Sequence, residues 1–463
     1  MYAPNPFALE CSEVWAGRIA GQADLPDERL NGRLATILTT FANRPEDAIP
    51  QAAGSAGQAK AIYRFLDNQR MGFDDFLQPL VDTTVDACGS LPTLLAIQDT
   101  SSASYPTLAA TTGLGKLNDG GVLGLFFHTT LAVDLEGVSR GLLHQSFWRR
   151  PVDQKLESHK KRPIQDKESY KWLEGIEAAE EAIDQLPADQ RPRLIHVFDR
   201  EGDIHEVLQR ISASPHGAVI RAAQNRSVAG PITEAFAAIA AAPAVAVQRL
   251  TLAEGAAAKK RSVQMAFRSL TLTLTPGTQN RRRQSVTWTL VEARQTDAAD
   301  GVEPLHWLLW TTEPAQTIEQ ILHVVDIYKR RWLIEDFHLT LKSGCRIEKL
   351  CLETYERLCK AIILYSAVAV RIVAMRNLAR EHPEAPCTLL LTKMQWQALY
   401  AYIHKCRPTA DTPIPTMGEA VRWIGRLGGH LNRKRDGMPG VRTLWRGWRD
   451  LDILVIGYTA AQR

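Results

Sequence analysis

The stretch RLIHVFDREGDIHEVLQRI (Arg193–Ile211) decides the fold. It reads as a buried strand that ends in an acidic residue, Asp199, and passes into a helix. A strand feeding a helix is the unit of an α/β sheet, and in open sheets of that kind ligands sit at the carboxyl ends of the strands. The flanking segments extend the pattern. PTLLAIQDTSS (Pro92–Ser102) is a short apolar run that ends in a second aspartate, Asp99. GVLGLFFHTTLAVD (Gly121–Asp134) and GLLHQSFWRRP (Gly141–Pro151) read as two more strands, and DKESYKWLEGIEAAEEAIDQL (Asp166–Leu186) as a helix. GAVIRAAQ (Gly217–Gln224) is a further strand. The order is β-β-β-α-β-α-β.

Beyond this core the character changes. From about 225 to 303 the chain is β-rich and alternating, as in SLTLTLTPGT and QSVTWTLVEA, which reads as an inserted β-subdomain. LHWLLWTTEP (Leu305–Pro314) is one more strand, followed by long helices over Thr317–Ser343 and Thr354–Arg380 and a helical, basic remainder. The first 75 residues also read as helices. GQAKAIYRFLDN (Gly57–Asn68) sets Ala59, Ile62, Phe65 and Leu66 on one side, with Lys60 and Arg64 off it. Such a module fits DNA contact, and equally dimerisation or docking. Three domains are expected: 1–75, an α/β domain over 76–380 with its insertion at about 225–303, and 381–463.

Composition narrows the classes. In 463 residues, 45% are hydrophobic and 23% charged, as in an ordinary globular protein. No apolar run reaches the ~18 residues a membrane span needs, and the N-terminus lacks a signal-peptide layout, so a cytoplasmic location is expected. Seven cysteines without a C-x-x-C pair speak against a disulfide framework or zinc ribbon and read as reduced, mostly buried thiols. The net charge of +4 is unevenly spread. From Leu391 to Arg463 twelve Lys/Arg face five Asp/Glu, and basic runs stand at Arg149–Arg150, Lys160–Arg162, Lys259–Arg261 and Arg281–Arg283. Separated basic patches suit a polyanion touched at many points, although each run alone reads equally as a solvated loop.

The chemistry rests on a third acid. In IYKRRWLIEDFHLTLK (Ile327–Lys342), at ~100° per residue, Tyr328, Arg331, Glu335 and Lys342 fall at about 0°, −60°, −20° and −40°, with His338 at about −80°. Alone, that polar face is the face of a solvated helix. Yet Ile327, Ile334, Phe337 and Leu341, with Trp332, cover much of the other circumference, so the helix is expected to be largely buried and its charged face to meet something. If the strands ending in Asp99 and Asp199 are neighbours, their carboxylates converge. Three such groups together repel one another and resist ionising. A hard divalent cation resolves this, and Mg²⁺ bridges carboxylates to phosphate oxygens. Asp99, Asp199 and Glu335 are thus candidate catalytic and metal-binding residues for phosphodiester chemistry. Asp336 is turned ~100° from Glu335, and Asp203 is a candidate for supporting the ligands.

These residues carry a resemblance. AIYRFLDN, LLAIQDTSSASY, GLLHQSFWRRP, VFDREGDIHEVL, WLLWTTEP, the Y-x2-R-x3-E-x6-K signature at Tyr328, Arg331, Glu335 and Lys342, and IGRLGGHLNRKRDGMPGVRTLWRGW stand in the order found in one family. The chain resembles the DDE transposases of the bacterial insertion-sequence IS-four family, Tn-five type. The resemblance implies an RNase H-like catalytic core with a β-rich insertion, an N-terminal helical DNA-binding domain and a C-terminal helical dimerisation domain. It implies cut-and-paste transposition with Mg²⁺, Mn²⁺ substituting, on transposon-end and target DNA, by a nucleoid-associated homodimer. It places Trp307 where a tryptophan stacks on a flipped base, and Trp332 at a second family tryptophan. It sets Tyr328, Arg331 and Lys342 on phosphates near the scissile bond, and Arg221, Lys60 and Arg64 on DNA. Leu339 departs from a basic residue at its position, and the loop GLGKLNDGG (Gly113–Gly121) has its own sequence.

GLGKL is not a Walker A loop, since Leu117 follows the lysine, and no ATP dependence is expected. His196 and His205 read as structural. A metal-dependent nuclease or resolvase on the same fold, and a non-catalytic DNA-binding descendant of a transposase, are the competing readings.

Overall fold

The computed structural model describes residues 12–107, 110–118, 120–150, 163–254, 259–275, 284–299, 301–433 and 436–461. The basic runs Lys160–Arg162 and Arg281–Arg283, the side chains of Lys259 and Lys260, residue 11 and part of the loop 113–121 lie outside it.

Five helices come first: α1 (Ser12–Gly21), α2 (Glu28–Asn43), α3 (Ile49–Ala53), α4 (Ala56–Leu66) and α5 (Asp74–Cys88). Ser55 caps α4 by accepting from the Gln58 N–H, which satisfies one of the amides a helix start leaves without a partner. Then follow β1 (Thr93–Ser104), β2 (Gly115–Lys116), β3 (Leu123–Val133), β4 (Ser139–Trp148), α6 (Lys171–Asp184), β5 (Arg193–Phe198), α7 (His205–Ser212) and β6 (Gly217–Arg221). β3 runs antiparallel between β4 and β1, while β1, β5 and β6 run parallel. Five strands in the order β4-β3-β1-β5-β6 thus form a mixed core sheet.

The insertion holds α8 (Ala235–Ala241), β7 (Ala246–Glu254), β8 (Lys259–Leu274) and β9 (Val286–Gln295), and β10 (His306–Thr311) follows it. It does not stand apart. β10 pairs antiparallel with β6 on one side and β9 on the other, so β9, β8 and β7 continue the core sheet outward. The alternating sequence foretells strands; it carries no information on their attachment, because pairing partners are fixed by contacts remote in sequence. The short α8 adds one helix of seven residues to this otherwise β-rich segment.

The last part is helical: α9 (Ile318–Arg330), α10 (Trp332–Leu339), α11 (Tyr355–Glu381), α12 (Lys393–His404), α13 (Met417–Leu427) and α14 (Val441–Ala460). A capping box of Thr317 and Gln320 starts α9. The expected single helix over Thr317–Ser343 is instead broken at Arg331 and ends in a π-turn at Thr340–Gly344. A π-turn widens the backbone spiral, so the 3.6-residue phase does not hold through to Lys342.

α11 is nearly all buried. By length and composition it could cross a membrane, which corrects the expectation that no segment could, but its apolar stretch is entirely enclosed by the protein. Apolar residues of α1, α2, α4 and α5 share one core with β1, β3, β4 and α11. Phe41 of α2 stacks on Tyr365 of α11, with ring centroids 4.2 Å apart and planes 6° apart. Among the described cysteines, Cys88, Cys345, Cys359 and Cys387 are buried as expected, whereas Cys351 and Cys406 are exposed.

Candidate active site

The parallel register at the sheet centre places the two aspartates. Ile97 of β1 pairs with Val197 of β5. Two residues on, Asp99 and Asp199 therefore come level where the β1–β5 pairing stops; Asp199 directly follows β5, but β1 does not end in Asp99 as expected, because its antiparallel pairing with β3 carries it on to Ser104. On the other side of β5, Phe198 pairs with Ile220 of β6, which brings Arg221 level with Asp199. β10 adds the last member: Leu309 pairs with Arg221, and Trp307 stands two residues further along. Four neighbouring strands thus present Asp99, Asp199, Arg221 and Trp307 along one rim.

Side chains alternate across a strand, so β1 splits into two sets. Gln98 and Thr100 face α6. Gly175 of α6 sits so close to the Gln98 side chain that an added Cβ would come within 2.7 Å of it. Buried His128 bonds both, its Nε2 3.0 Å from Gln98 Oε1 and its Nδ1 3.0 Å from Thr100 Oγ1. Asp99 and Ser101 face the opposite way, toward α10. There Arg331 lies 3.3 Å from Glu335 and 3.9 Å from Asp99. Lys342 Nζ reaches Ser101 Oγ at 3.4 Å, so the π-turn still delivers this lysine to β1.

The electrostatics are those of crowded acids. Burial, then the charges of Asp199 and Glu335, push the Asp99 carboxyl up to about 7 against the pull of the Thr100 N–H and Arg331. Burial raises Asp199 as well, although its Oδ1 accepts the Glu201 N–H at 2.8 Å. Arg331 is held above its ordinary value; burial opposes this, and Tyr328, Asp99, Glu335 and Asp199 outweigh it. Raised carboxylates with oxygen donors facing one space are what a hard divalent cation relieves. One donor atom each from Asp99, Glu335 and His338 lie within 4.8 Å of one another. The residues therefore fit a divalent ion.

Beside this acidic corner opens a cleft of about 470 Å³, lined by Asp199, Arg200, Arg221, Trp307, Tyr328, Lys329, Arg331 and Trp332. Trp307 and Tyr328 meet edge to face, their centroids 5.7 Å apart. Arg221 donates to the His306 carbonyl through one guanidinium nitrogen and leaves Nη1 buried without a hydrogen-bond partner. Trp332 does not help to bury the helix, as expected, but is 64% exposed, with Arg331 over its ring. Lys60 and Arg64 are exposed on α4, away from this cleft's lining.

Neighbouring acids have other partners. Asp336 pairs with Arg376 of α11 at 2.7 Å. Asp203 is not a supporting residue of the acidic corner: it is buried, pairs with Arg226 at 2.5 Å and accepts the backbone N–H groups of Ala223 and Gln224, which anchors the loop after β6. Arg200 and His338 were not foreseen as site residues. Arg200 follows Asp199 directly, and the phase of α10 had put His338 near the Glu335 face.

The sheet, the acidic corner and the cationic cleft together define a DDE transposase, an enzyme that cleaves and transesterifies phosphodiesters, and comparison with known families agrees. A transposase DNA-binding model matches residues 12–71, a transposase DDE domain model 243–370 and a transposase Tn5 dimerisation domain model 367–463. In this order they are the domain architecture of the Tn5-type transposases. The DDE match makes the mixed core RNase H-like and implies use of a divalent metal. It spans Glu335, Trp307, Tyr328, Arg331 and Lys342, while Asp99, Asp199 and Arg221 precede it. Lys60 and Arg64 fall in the DNA-binding match. A DNA-binding and a dimerisation domain in one chain support DNA as partner and a homodimer as the acting assembly.

Proposed function

We propose that this chain carries out cut-and-paste transposition, with Asp99, Asp199 and Glu335 as its catalytic and metal-binding residues. The observation that carries the reading is the approach of three carboxylates, Asp99 within β1, Asp199 just after β5 and Glu335 in the first turn of α10, beside a cleft of cations and aromatic rings. The carboxylates would hold Mg²⁺, with Mn²⁺ able to substitute. Such an ion makes the attacking oxygen more acidic and offsets charge on the leaving one.

The protein's part is to position. Arg331, Tyr328 and Arg221 line the cleft where a phosphate backbone would lie, and their cationic and hydroxyl groups suit phosphate oxygens. Lys342 serves the β1 side from Ser101. Water attacks the phosphodiester at the transposon end and leaves a 3′-OH. That hydroxyl attacks the opposite strand to close a hairpin, water reopens it, and the 3′-OH joins target DNA. Each step is an in-line displacement, so one site can serve them all. Trp307, with its ring braced by Tyr328, would stack on a base flipped out at the hairpin, and exposed Trp332 would offer a second aromatic face. Lys60 and Arg64 would contact end DNA, with Leu339, 55% exposed, leaving that grip one cation short. The three domains 1–75, 76–380 and 381–463 would then bind ends, do the chemistry and pair subunits, in a protein working on the nucleoid in the cytoplasm.

The test is a duplex bearing a terminal inverted repeat, Mg²⁺ and a supercoiled target. Nicking, hairpins and joined product are expected in succession. Cleavage without joining would favour the nuclease, and binding alone the non-catalytic DNA binder.

A further inference from the structure

The acidic corner contains a nitrogen donor that the three-carboxylate reading leaves unused. His338 stands one turn beyond Glu335 on α10 and is only 5% exposed. Its Nδ1 lies 3.9 Å from Asp99 Oδ2, beyond hydrogen-bond distance, and its Nε2 is buried without a hydrogen-bond partner. Phe127 meets the ring edge-on at 5.5 Å, and Phe337 lies equally near, so aromatic packing rather than polar contact holds the imidazole in place.

Of its two nitrogens, Nδ1 is the one that faces the carboxylates, and it makes no hydrogen bond to Asp99. Its surroundings suggest what would satisfy it. One donor atom each from Asp99, Glu335 and His338 lie within 4.8 Å of one another, and the Asp99–His338 pair stands 3.9 Å apart. Donors around one small divalent ion stand roughly 3–4 Å apart, given bonds of about 2.0–2.2 Å. The 3.9 Å between Asp99 and His338 falls in that range.

Building on the proposed carboxylate site, we propose that His338 is a nitrogen ligand to a divalent ion held between Asp99 and Glu335. This edge of the corner is then a mixed nitrogen–oxygen site, whereas the edge between Asp99 and Asp199 offers oxygen alone. Imidazole suits transition ions, and Mg²⁺ prefers oxygen. The mixed edge therefore favours Mn²⁺ over Mg²⁺ more than three carboxylates would. The alternative is that Nδ1–H donates to Asp99 and only positions it.

Pulsed EPR on the full-length protein with Mn²⁺ alone separates these. Wild type is expected to show bound Mn²⁺ with nitrogen modulation, and His338→Gln to lose that modulation while Mn²⁺ affinity falls about tenfold or more and Mg²⁺ affinity falls less. Wild type grown with isotopically labelled histidine provides the same test without any substitution, since a ligating ring changes the modulation pattern. Bound Mn²⁺ that Asp99→Asn and Glu335→Gln abolish, but that never shows nitrogen coupling, overturns the His338 ligand and leaves the carboxylate site standing. Wild type that binds no Mn²⁺ at all overturns both.

Discussion

The two halves of the cleft are built on opposite principles. The half made by β1, β5 and the start of α10 gathers carboxylates out of water, and Asp99 is pushed up to about 7 as a result. The half made by β6, β10 and α9 gathers guanidinium groups and rings, and Trp332 stands largely in solvent. The acidic half is frustrated by crowded like charges; in the cationic half the strain is confined to Arg221, whose Nη1 is buried without a partner. An enzyme that is strained only where charge will be neutralised on loading is preorganised for that loading. Arg331 joins the halves, since it lines the cleft and touches both Glu335 and Asp99.

The contrast can be broken experimentally. The largest effect is expected in the acidic half: Asp99→Asn, Asp199→Asn or Glu335→Gln should lower nicking about a thousandfold or more, with end binding in gel shifts changed little. Near wild-type nicking by Glu335→Gln would remove it from the candidate triad. Next is the joining residue. Arg331→Ala should cost about a hundredfold in nicking and weaken DNA binding as well, so that a loss confined to binding would assign it to the cationic half alone. In that half, Trp307→Ala should slow hairpin formation about tenfold more than the first nick, as expected for a stacking contact of 1–3 kcal/mol. Equal slowing of both steps, measured in single-turnover assays, would contradict base stacking.

Two smaller effects sharpen the comparison through stability. Asp336→Asn should leave nicking within about threefold but lower unfolding stability by about 2 kcal/mol, because it weakens a charged hydrogen bond to Arg376. An effect on nicking as large as that of Glu335→Gln would mean that the wrong one of two adjacent acids has been chosen. In metal-free buffer, Asp99 gives a pH dependence of known sign. Its folded pKa of about 7 lies above the ordinary 3.8, so between those values the folded protein holds a proton that the unfolded chain has lost. That contribution is greatest in acid and fades as pH rises through 7. Melting temperature should fall less steeply between pH 5 and pH 7 in Asp99→Asn than in wild type, and identical slopes would refute the shift.

Much of this was legible in the chain, for a physical reason. An apolar run that meets an acid is a local pattern, so Asp199 could be placed at the end of its strand and Asp99 on β1, although β1 continues to Ser104 instead of ending there, and helical phase turned Asp336 away from Glu335. What sequence could not supply was non-local. That β1 and β5 pair with Ile97 opposite Val197, or that β10 carries the insertion onto the core sheet, depends on partners distant along the chain. Trp332 was misjudged because an aromatic residue in an amphipathic stretch usually packs inward. The break at Arg331 and the π-turn left no proline or glycine signal ahead of them. His338 escaped as a ligand although helical phase placed it near the Glu335 face, because a single histidine without a second histidine or cysteine at metal-binding spacing reads as an ordinary member of that face.

The DDE match ends at 370 and the dimerisation match begins at 367, both inside α11. One unbroken, enclosed rod therefore belongs to the part that cuts and to the part that pairs. No hinge separates them along this segment, so the angle between cutting machinery and partner contact is built into the core. Evolution could lengthen a surface loop here without disturbing the chemistry. To change the angle between the two parts, it would have to repack the middle of the protein.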